Sequence, residues 1–211
     1  MFTGLVETTG TVRDIRRRGD YRVLSIAAPS QGEPFDVGES VACDGACLTV
    51  VSSTEGSFVI EASGETASRT TLKDYRAGSV VNVERAVKAG GRLGGHLVSG
   101  HIDDVGVVDY LRPAGESLVL AVRFARRFDP LVIEKGSVAI DGVSLTINDI
   151  RSGWLSVNII PHTARVTTLG SLKVSDRVNL EFDMIGKYVL KMINTQGAES
   201  LTMEKLRGSG W

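Results

Sequence analysis

Along most of the chain, apolar residues come in short β-branched runs broken by turn formers. Ser57-Phe58-Val59-Ile60-Glu61, Val80-Val81-Asn82-Val83-Glu84 and Leu118-Val119-Leu120-Ala121-Val122 are bounded by Gly, Pro, Asp or Ser, the mark of strands at regular spacing. Small barrels or sandwiches are the architecture this predicts. Short helices are expected at Ala67 to Tyr75, Ala164 to Leu172 and Phe128 to Glu134. Near the end the period changes. Ile185, Tyr188, Val189, Met192 and Ile193 fall three or four apart, which puts them on one apolar face of a helix. From Gly197 to Trp211 the sequence is polar and glycine-punctuated, so a frayed tail is expected there.

Sliding the sequence against itself reveals a tandem duplication. Ser40-Val41-Ala42-Cys43-Asp44-Gly45-Ala46-Cys47-Leu48-Thr49-Val50 aligns with Ser137-Val138-Ala139-Ile140-Asp141-Gly142-Val143-Ser144-Leu145-Thr146-Ile147, and seven of the eleven positions are identical. The same offset pairs Thr70-Thr71-Leu72 with Thr167-Thr168-Leu169 and Val81-Asn82-Val83-Glu84 with Val178-Asn179-Leu180-Glu181. One residue less of offset pairs Thr3-Gly4-Leu5-Val6 with Ser99-Gly100-His101-Ile102. Each copy is long enough to bury a small core. The joint falls at Gly90-Gly91-Arg92-Leu93-Gly94-Gly95, and the C-terminal helix lies outside the repeat. The boundaries that follow are 1–96 and 97–184 for the copies, 185–196 for the helix and 197–211 for the tail.

Composition narrows the function classes. The 24 basic and 25 acidic side chains nearly cancel, unlike the strongly basic faces of general nucleic-acid binders. No apolar stretch approaches the length needed to span a bilayer, and the N-terminus lacks the basic and apolar regions of a secretory signal. A cytoplasmic protein is expected. Cys43 and Cys47 have no second pair to complete a zinc site, so they read as reduced thiols with at least one in the core.

Positions identical in both copies serve something the fold needs twice. Asp44-Gly45 and Asp141-Gly142 read as hairpin turns in which Gly takes a positive φ. Reactive groups, by contrast, differ between the copies: Cys47 becomes Ser144, and His101 stands where the first copy has Leu5. His101 fits either a buried, hydrogen-bonded imidazole or a proton-transfer group. His96 and His101 lack a third clustered ligand for a metal. Arg16-Arg17-Arg18 before Gly19-Asp20 reads as a solvated turn and not as an anion site. Asp183, just ahead of the C-terminal helix, suits an N-cap.

Four segments together carry a family resemblance: Met1 to Glu7, Cys47-Leu48-Thr49-Val50, Gly94-Gly95-His96-Leu97-Val98-Ser99-Gly100-His101-Ile102, and Ile140 to Thr146. Over residues 1 to 190 the chain resembles the riboflavin synthase family, the α-chain type with two lumazine-binding repeats. The resemblance implies an all-β fold of two six-stranded Greek-key β-barrels, similar to flavodoxin-reductase flavin domains, with a C-terminal α-helix that builds a homotrimer. It implies dismutation of two 6,7-dimethyl-8-ribityllumazine molecules to riboflavin and 5-amino-6-(ribitylamino)uracil, without metal, nucleotide or redox cofactor. The first barrel of one subunit would face the second barrel of its neighbour. Association with lumazine synthase, the preceding enzyme, stays open.

Carried over by position, the first pocket would use Gly4, Leu5, Val6, Cys47, Leu48, Thr49 and Glu61, Ala62, Ser63, Gly64, Glu65 and Thr66. The second would use Gly100, His101, Ile102, Lys135, Ser144, Leu145, Thr146 and Asn158, Ile159, Ile160, Pro161, His162 and Thr163. His101 would transfer protons, Cys47 and Ser40 would handle the acceptor carbon, Ser144, Thr146 and Asp183 would orient substrate or relay protons, and Phe2 would pack beside the ring. Two other readings remain at this point: a lumazine or flavin carrier without turnover, and an interaction protein that uses two small β-barrels on polysaccharide or single-stranded nucleic acid. The latter predicts basic grooves with exposed aromatics, against only 6% aromatic residues.

Overall fold

The computed structural model describes residues 1–29 and 33–197. The predicted tail lies outside them, except for the last helical residue. The first six strands are β1 (Thr8–Arg18), β2 (Tyr21–Ala27), β3 (Ser40–Cys43), β4 (Ala46–Thr54), β5 (Ser57–Ala62) and β6 (Val80–Arg85). They close into an antiparallel barrel in the order β1-β2-β5-β4-β3-β6. The next six are β7 (Asp104–Ala114), β8 (Ser117–Arg123), β9 (Ser137–Ile140), β10 (Val143–Arg151), β11 (Trp154–Ile159) and β12 (Arg177–Phe182). Their closed order is the same, β7-β8-β11-β10-β9-β12. Alternation decides which side chains fill each barrel: Phe58, Ile60 and Ala62 of β5 are buried, whereas Ser57, Val59 and Glu61 point outward. Each barrel has its own apolar core, one around Leu24, Ile26 and Phe58 and the other around Leu120, Ile140 and Phe182.

The helices predicted after β5 and β11 form, but shifted and split. Helix α1 spans Gly64–Arg69 and α2 spans Pro161–Val166, and each gives way to a 3₁₀ turn at Thr71–Asp74 or Thr168–Ser171. Thr70 and Thr167 break them: both are extended, and each hydroxyl accepts the N–H two residues on. A hydroxyl that serves the backbone in this way favours caps over helix interiors. The segment expected at Phe128 to Glu134 is a 3₁₀ turn, Arg126–Leu131. The C-terminal helix α3 runs Met184–Gly197, and Asp183 caps it, its Oδ1 accepting the Ile185 N–H at 3.0 Å.

The duplicated Asp-Gly pairs are hairpin turns with positive φ at both residues, 43° and 79° in the first copy and 45° and 78° in the second. They meet back to back. A Cβ on Gly45 would stand 2.7 Å from the Gly142 nitrogen, and the reverse distance is the same. Around them runs a reciprocal polar network. Asn82 donates to the Asp141 carbonyl at 2.9 Å and Asn179 to the Asp44 carbonyl at 2.8 Å. Each amide oxygen accepts a backbone N–H of the opposite copy, Thr168 for Asn82 and Thr71 for Asn179. A buried network that satisfies its members specifies one relative arrangement of the barrels.

Two carboxyls sit inside this network. Burial raises Asp44 to about 6 against the hydrogen bonds from Tyr75 and Asn82, and burial, together with the neighbouring Asp44, raises Asp141 as well. The folded chain therefore holds the Asp44 proton to a higher pH than the unfolded chain, whose value is near 4. Stability from this group is greatest below that value and is lost as pH rises through about 6. Urea midpoints of Asp44→Asn are expected to fall less than those of the parent across this window. Parallel curves would refute the assignment.

Candidate active site

Two short arms flank the barrels and pair with each other. The Phe2 N–H donates to the Val98 carbonyl at 2.7 Å and the Val98 N–H to the Phe2 carbonyl at 3.1 Å. A buried carboxylate holds each arm. Glu84 accepts from the Thr3 N–H and hydroxyl at 2.7 and 2.8 Å and from the Gly4 N–H at 3.1 Å. Glu181 accepts from the Ser99 N–H and hydroxyl, both at 2.6 Å, and from the Gly100 N–H at 2.9 Å. Hydrogen bonds to the ionised form pull the Glu84 pKa down, yet burial outweighs them and raises it.

Each arm then reaches the barrel of the other copy. Cys47 N–H donates to the Gly100 carbonyl at 2.9 Å, and Ser144 N–H donates to the Gly4 carbonyl at 2.8 Å. Ile102 packs on the first core and Val6 on the second. The grouping carried over from the family resemblance is therefore exchanged in space within this chain. Gly100, His101 and Ile102 join Cys47, Leu48 and Thr49; Gly4, Leu5 and Val6 join Ser144, Leu145 and Thr146. The alignment establishes which arm residues are equivalent, whereas the backbone hydrogen bonds decide which barrel each arm covers.

On the outer face of the first barrel, Ser40, Thr49, Glu61, Val23 and Arg16 stand side by side on five adjacent strands. Cys47 is half-buried next to this row, and His101 is exposed at its arm, so the buried reading of His101 does not hold. Both cysteines are free thiols and Cys43 is buried. Arg18 donates to Glu61 at 2.5 Å. Ser63 and Thr66 face each other at the start of α1, where the Ser63 hydroxyl accepts the Thr66 N–H at 3.1 Å. Gly64 and Glu65 are exposed beside them.

The second barrel repeats the layout with other chemistry. Thr146 and Asn158 are exposed at the positions of Thr49 and Glu61. Ile160, Pro161, His162 and Thr163 replace Ser63, Gly64, Glu65 and Thr66, and Ile160 is 57% exposed. Lys135 has φ 62° where the first copy has Gly38 at 92°, a left-handed backbone that costs a side-chain-bearing residue energy. Leu48, Leu145, Ala62 and Ile159 point into the barrel cores, so a ligand on the outer face meets only their backbone. Phe2 has no exposed surface. It supports Cys47 from beneath and offers no free face to a ring.

One residue of this site escaped the sequence reading. His96 is buried, and its Nδ1 lies 2.7 Å from the Ser144 Oγ. Burial lowers its pKa, against the charges of Asp183 and Glu181, so the imidazole is neutral at neutral pH. The repeat gives His96 no counterpart, and the sequence assigns it no role beyond a rejected metal ligand and a place in the family-like segment Gly94 to Ile102. The signal was Gly95: a Cβ there would stand 2.1 Å from the Thr3 carbonyl oxygen and 2.9 Å from the Ser144 Cβ. Glycine at 95 lets the linker lie against both the arm and the serine.

The lumazine binding domain pattern matches residues 3–86 and again residues 99–183. Riboflavin synthase of Actinobacillus pleuropneumoniae is 38% identical over 215 residues, with both chains covered completely. The chain belongs to the riboflavin synthase family. The riboflavin synthase of Mycobacterium bovis is 39% identical over 201 residues, covering 93% of this chain and all of that one. Among solved structures, LumP complexed with 6,7-dimethyl-8-(1'-D-ribityl) lumazine superposes with a TM-score of 0.77 at 23% identity, covering 86% of this chain and 99% of the other. That likeness shows a shared fold. In this riboflavin synthase family member, the two matched domains coincide with the two closed barrels.

Proposed function

We propose that the protein is a riboflavin synthase that dismutates two molecules of 6,7-dimethyl-8-ribityllumazine. One gives up a four-carbon unit to the other, yielding riboflavin and 5-amino-6-(ribitylamino)uracil. The two products together contain the atoms of the two substrates, so the reaction calls for no external oxidant or reductant. The observation that carries the reading is the pairing of like surfaces with unlike reactive groups. Both barrels present a threonine on the same outer row, but one adds Cys47 and His101 and the other Ser144 and His96. Identical ligands held there meet different chemistry, as a reaction between two copies of one substrate requires.

One lumazine must lose a proton from its C7 methyl group, and the other must accept an addition at C7. His101, exposed on the arm beside Cys47, is the proton-transfer group of this scheme. Cys47 and Ser40 serve the acceptor on the first barrel. Ser144, hydrogen-bonded to neutral His96, serves the second barrel with Thr146, Lys135 and Asp183. Incubation with 6,7-dimethyl-8-ribityllumazine is expected to produce riboflavin absorbance. A spectral shift without product would make the protein a carrier. His101→Gln is expected to lower kcat at unchanged melting temperature, and an unchanged kcat would sink the assignment of His101.

The second barrel of one copy completes the first barrel of another in this reading, and α3 is the element that joins copies. Ile185, Tyr188, Met192 and Ile193 are each at least 60% exposed and Val189 49%, on a helix that approaches Leu131 at Gly186. Apolar faces of this kind mark contact with another chain. Three copies joined through α3 are expected in solution, and Tyr188→Glu is expected to release monomers in sedimentation velocity and to lose activity with the assembly. A parent that sediments as a monomer at micromolar concentration would refute this.

A further inference from the structure

The arginine run that reads as a solvated turn in the sequence does not stand alone in space. Arg16 and Arg17 line a cleft of about 540 Å³ together with Arg22, Lys73, Asp20 and Gly64. Four cations there face one carboxylate. Arg16 is paired with Asp14 at 2.6 Å. Arg17 donates from Nε to the Gly19 carbonyl at 3.0 Å. Arg22 donates to the carbonyls of Leu72 and Tyr75, which fixes its position and leaves its charge uncompensated. Among the described residues the Lys73 side chain makes no hydrogen bond or ion pair. The second copy does not repeat this cluster: the aligned residues are Arg112, Pro113, Leu118 and Gly170, so a single cation of the four remains.

The cleft also has a defined relation to the ligand face. Gly64, on its wall, belongs to the segment Glu61 to Thr66. Arg16, also on its wall, ends the outward row that begins at Ser40 and Thr49. Glu61 and Arg16 are two strand spacings apart, about 10 Å. A ring lying over Cys47 and Thr49 with its polyol chain passing Glu61 directs the chain's end toward this cleft.

We propose that the cleft is an anion subsite of the first barrel that takes the terminal phosphate of a phosphorylated ribityl ligand, a flavin mononucleotide or a close analogue. Such a ligand occupies the substrate's place and inhibits turnover. The proposal rests on the reading of the outer face as the ribityllumazine site. Phosphate suits the cleft because a dianion recruits guanidinium and ammonium donors together, and because a neutral ribityl chain leaves the cations unused.

The test uses the full chain and follows flavin fluorescence during titration with riboflavin and with riboflavin 5′-phosphate, with inorganic phosphate as a separate arm. At low salt the 5′-phosphate is expected to bind one site per chain about tenfold more tightly than riboflavin. The advantage should collapse near 0.5 M salt and in the double variant Arg17→Gln/Lys73→Gln, which is expected to keep the parent's riboflavin affinity, turnover and melting temperature. Inorganic phosphate should weaken binding of the 5′-phosphate and spare riboflavin. Equal affinities in the parent, an advantage that survives the double variant, or displacement of riboflavin by inorganic phosphate would each overturn the subsite. If the parent neither binds riboflavin nor turns over the lumazine, the functional reading itself fails. If riboflavin binds and turnover occurs but the phosphate adds nothing, only the subsite fails.

Discussion

Gly100→Ala is expected to melt about 10 °C below the parent and to lose most of its turnover. Gly100 has φ 84°, a left-handed backbone that costs an L-residue about 1–2 kcal/mol. The new methyl also has nowhere to go. It would stand 2.4 Å from the Cys47 Cβ, 3.0 Å from the Cys47 nitrogen and 2.9 Å from the Phe2 Cε2. Cys47 is fixed in β4 and Phe2 is wholly buried, so the arm must lift. Lifting it breaks the Cys47 to Gly100 hydrogen bond and strains the three donations to Glu181. Overpacking of a tight site adds about 1–3 kcal/mol, and a total of roughly 3 kcal/mol corresponds to about 6–12 °C in a chain of this size. Gly19→Ala is the control, since Gly19 has φ 60° but no heavy atom within 4 Å of the added Cβ. If the two variants melt together, the arm does not hold the pocket as described.

Much of the architecture was legible because it rests on local rules used twice. Period-two burial of Phe58, Ile60 and Ala62 and the Asp-Gly turns are visible in any single copy, and the duplication doubles the signal. The C-terminal stripe was legible for the same reason, since Ile185, Tyr188 and Val189 share one helix face by spacing alone. The helices after β5 and β11 were misplaced because Thr70 and Thr167 look like ordinary interior residues until their hydroxyls are seen to cap the next turn.

The candidate site was legible in its residue types but not in its grouping. An alignment of two copies shows that Gly4 corresponds to Gly100, and both bind a buried glutamate. It carries no information on which barrel each arm crosses to, because that is settled by pairing with Cys47 or Ser144 more than forty residues away. His96 failed for a related reason. A histidine without a repeat partner looks incidental, and its partner Ser144 is 48 positions distant. Arg18 and Glu61, 43 positions apart, were likewise read separately, one as surface charge and the other as part of a binding segment.

Asn179→Ala is expected to destabilise the chain by about 4 kcal/mol, and the double variant Asn82→Ala/Asn179→Ala to split its unfolding into two transitions. Asn179 is 0% exposed, and its side chain serves two backbone groups of the other copy, the Asp44 carbonyl at 2.8 Å and the Thr71 N–H at 2.8 Å. Alanine leaves both without a partner. Each buried orphan costs about 1–3 kcal/mol, far more than a surface hydrogen bond lost to water. Asn82 does the same in the opposite direction, at 2.9 Å to the Asp141 carbonyl and 2.8 Å from the Thr168 N–H. The two sites share one interface, so their effects should not add: once one asparagine is gone, the turns separate and the second has less to hold. Each barrel retains its own core of more than a dozen buried residues, which is why loss of the interface is expected to uncouple the barrels and not to unfold them. Differential scanning calorimetry distinguishes the cases. Two resolved transitions in the double variant support a polar network that fixes the relative placement of the two pockets, whereas one cooperative transition with additive losses would assign that role to the apolar contacts of Phe2, Ala42, Val98 and Ala139 between the barrels.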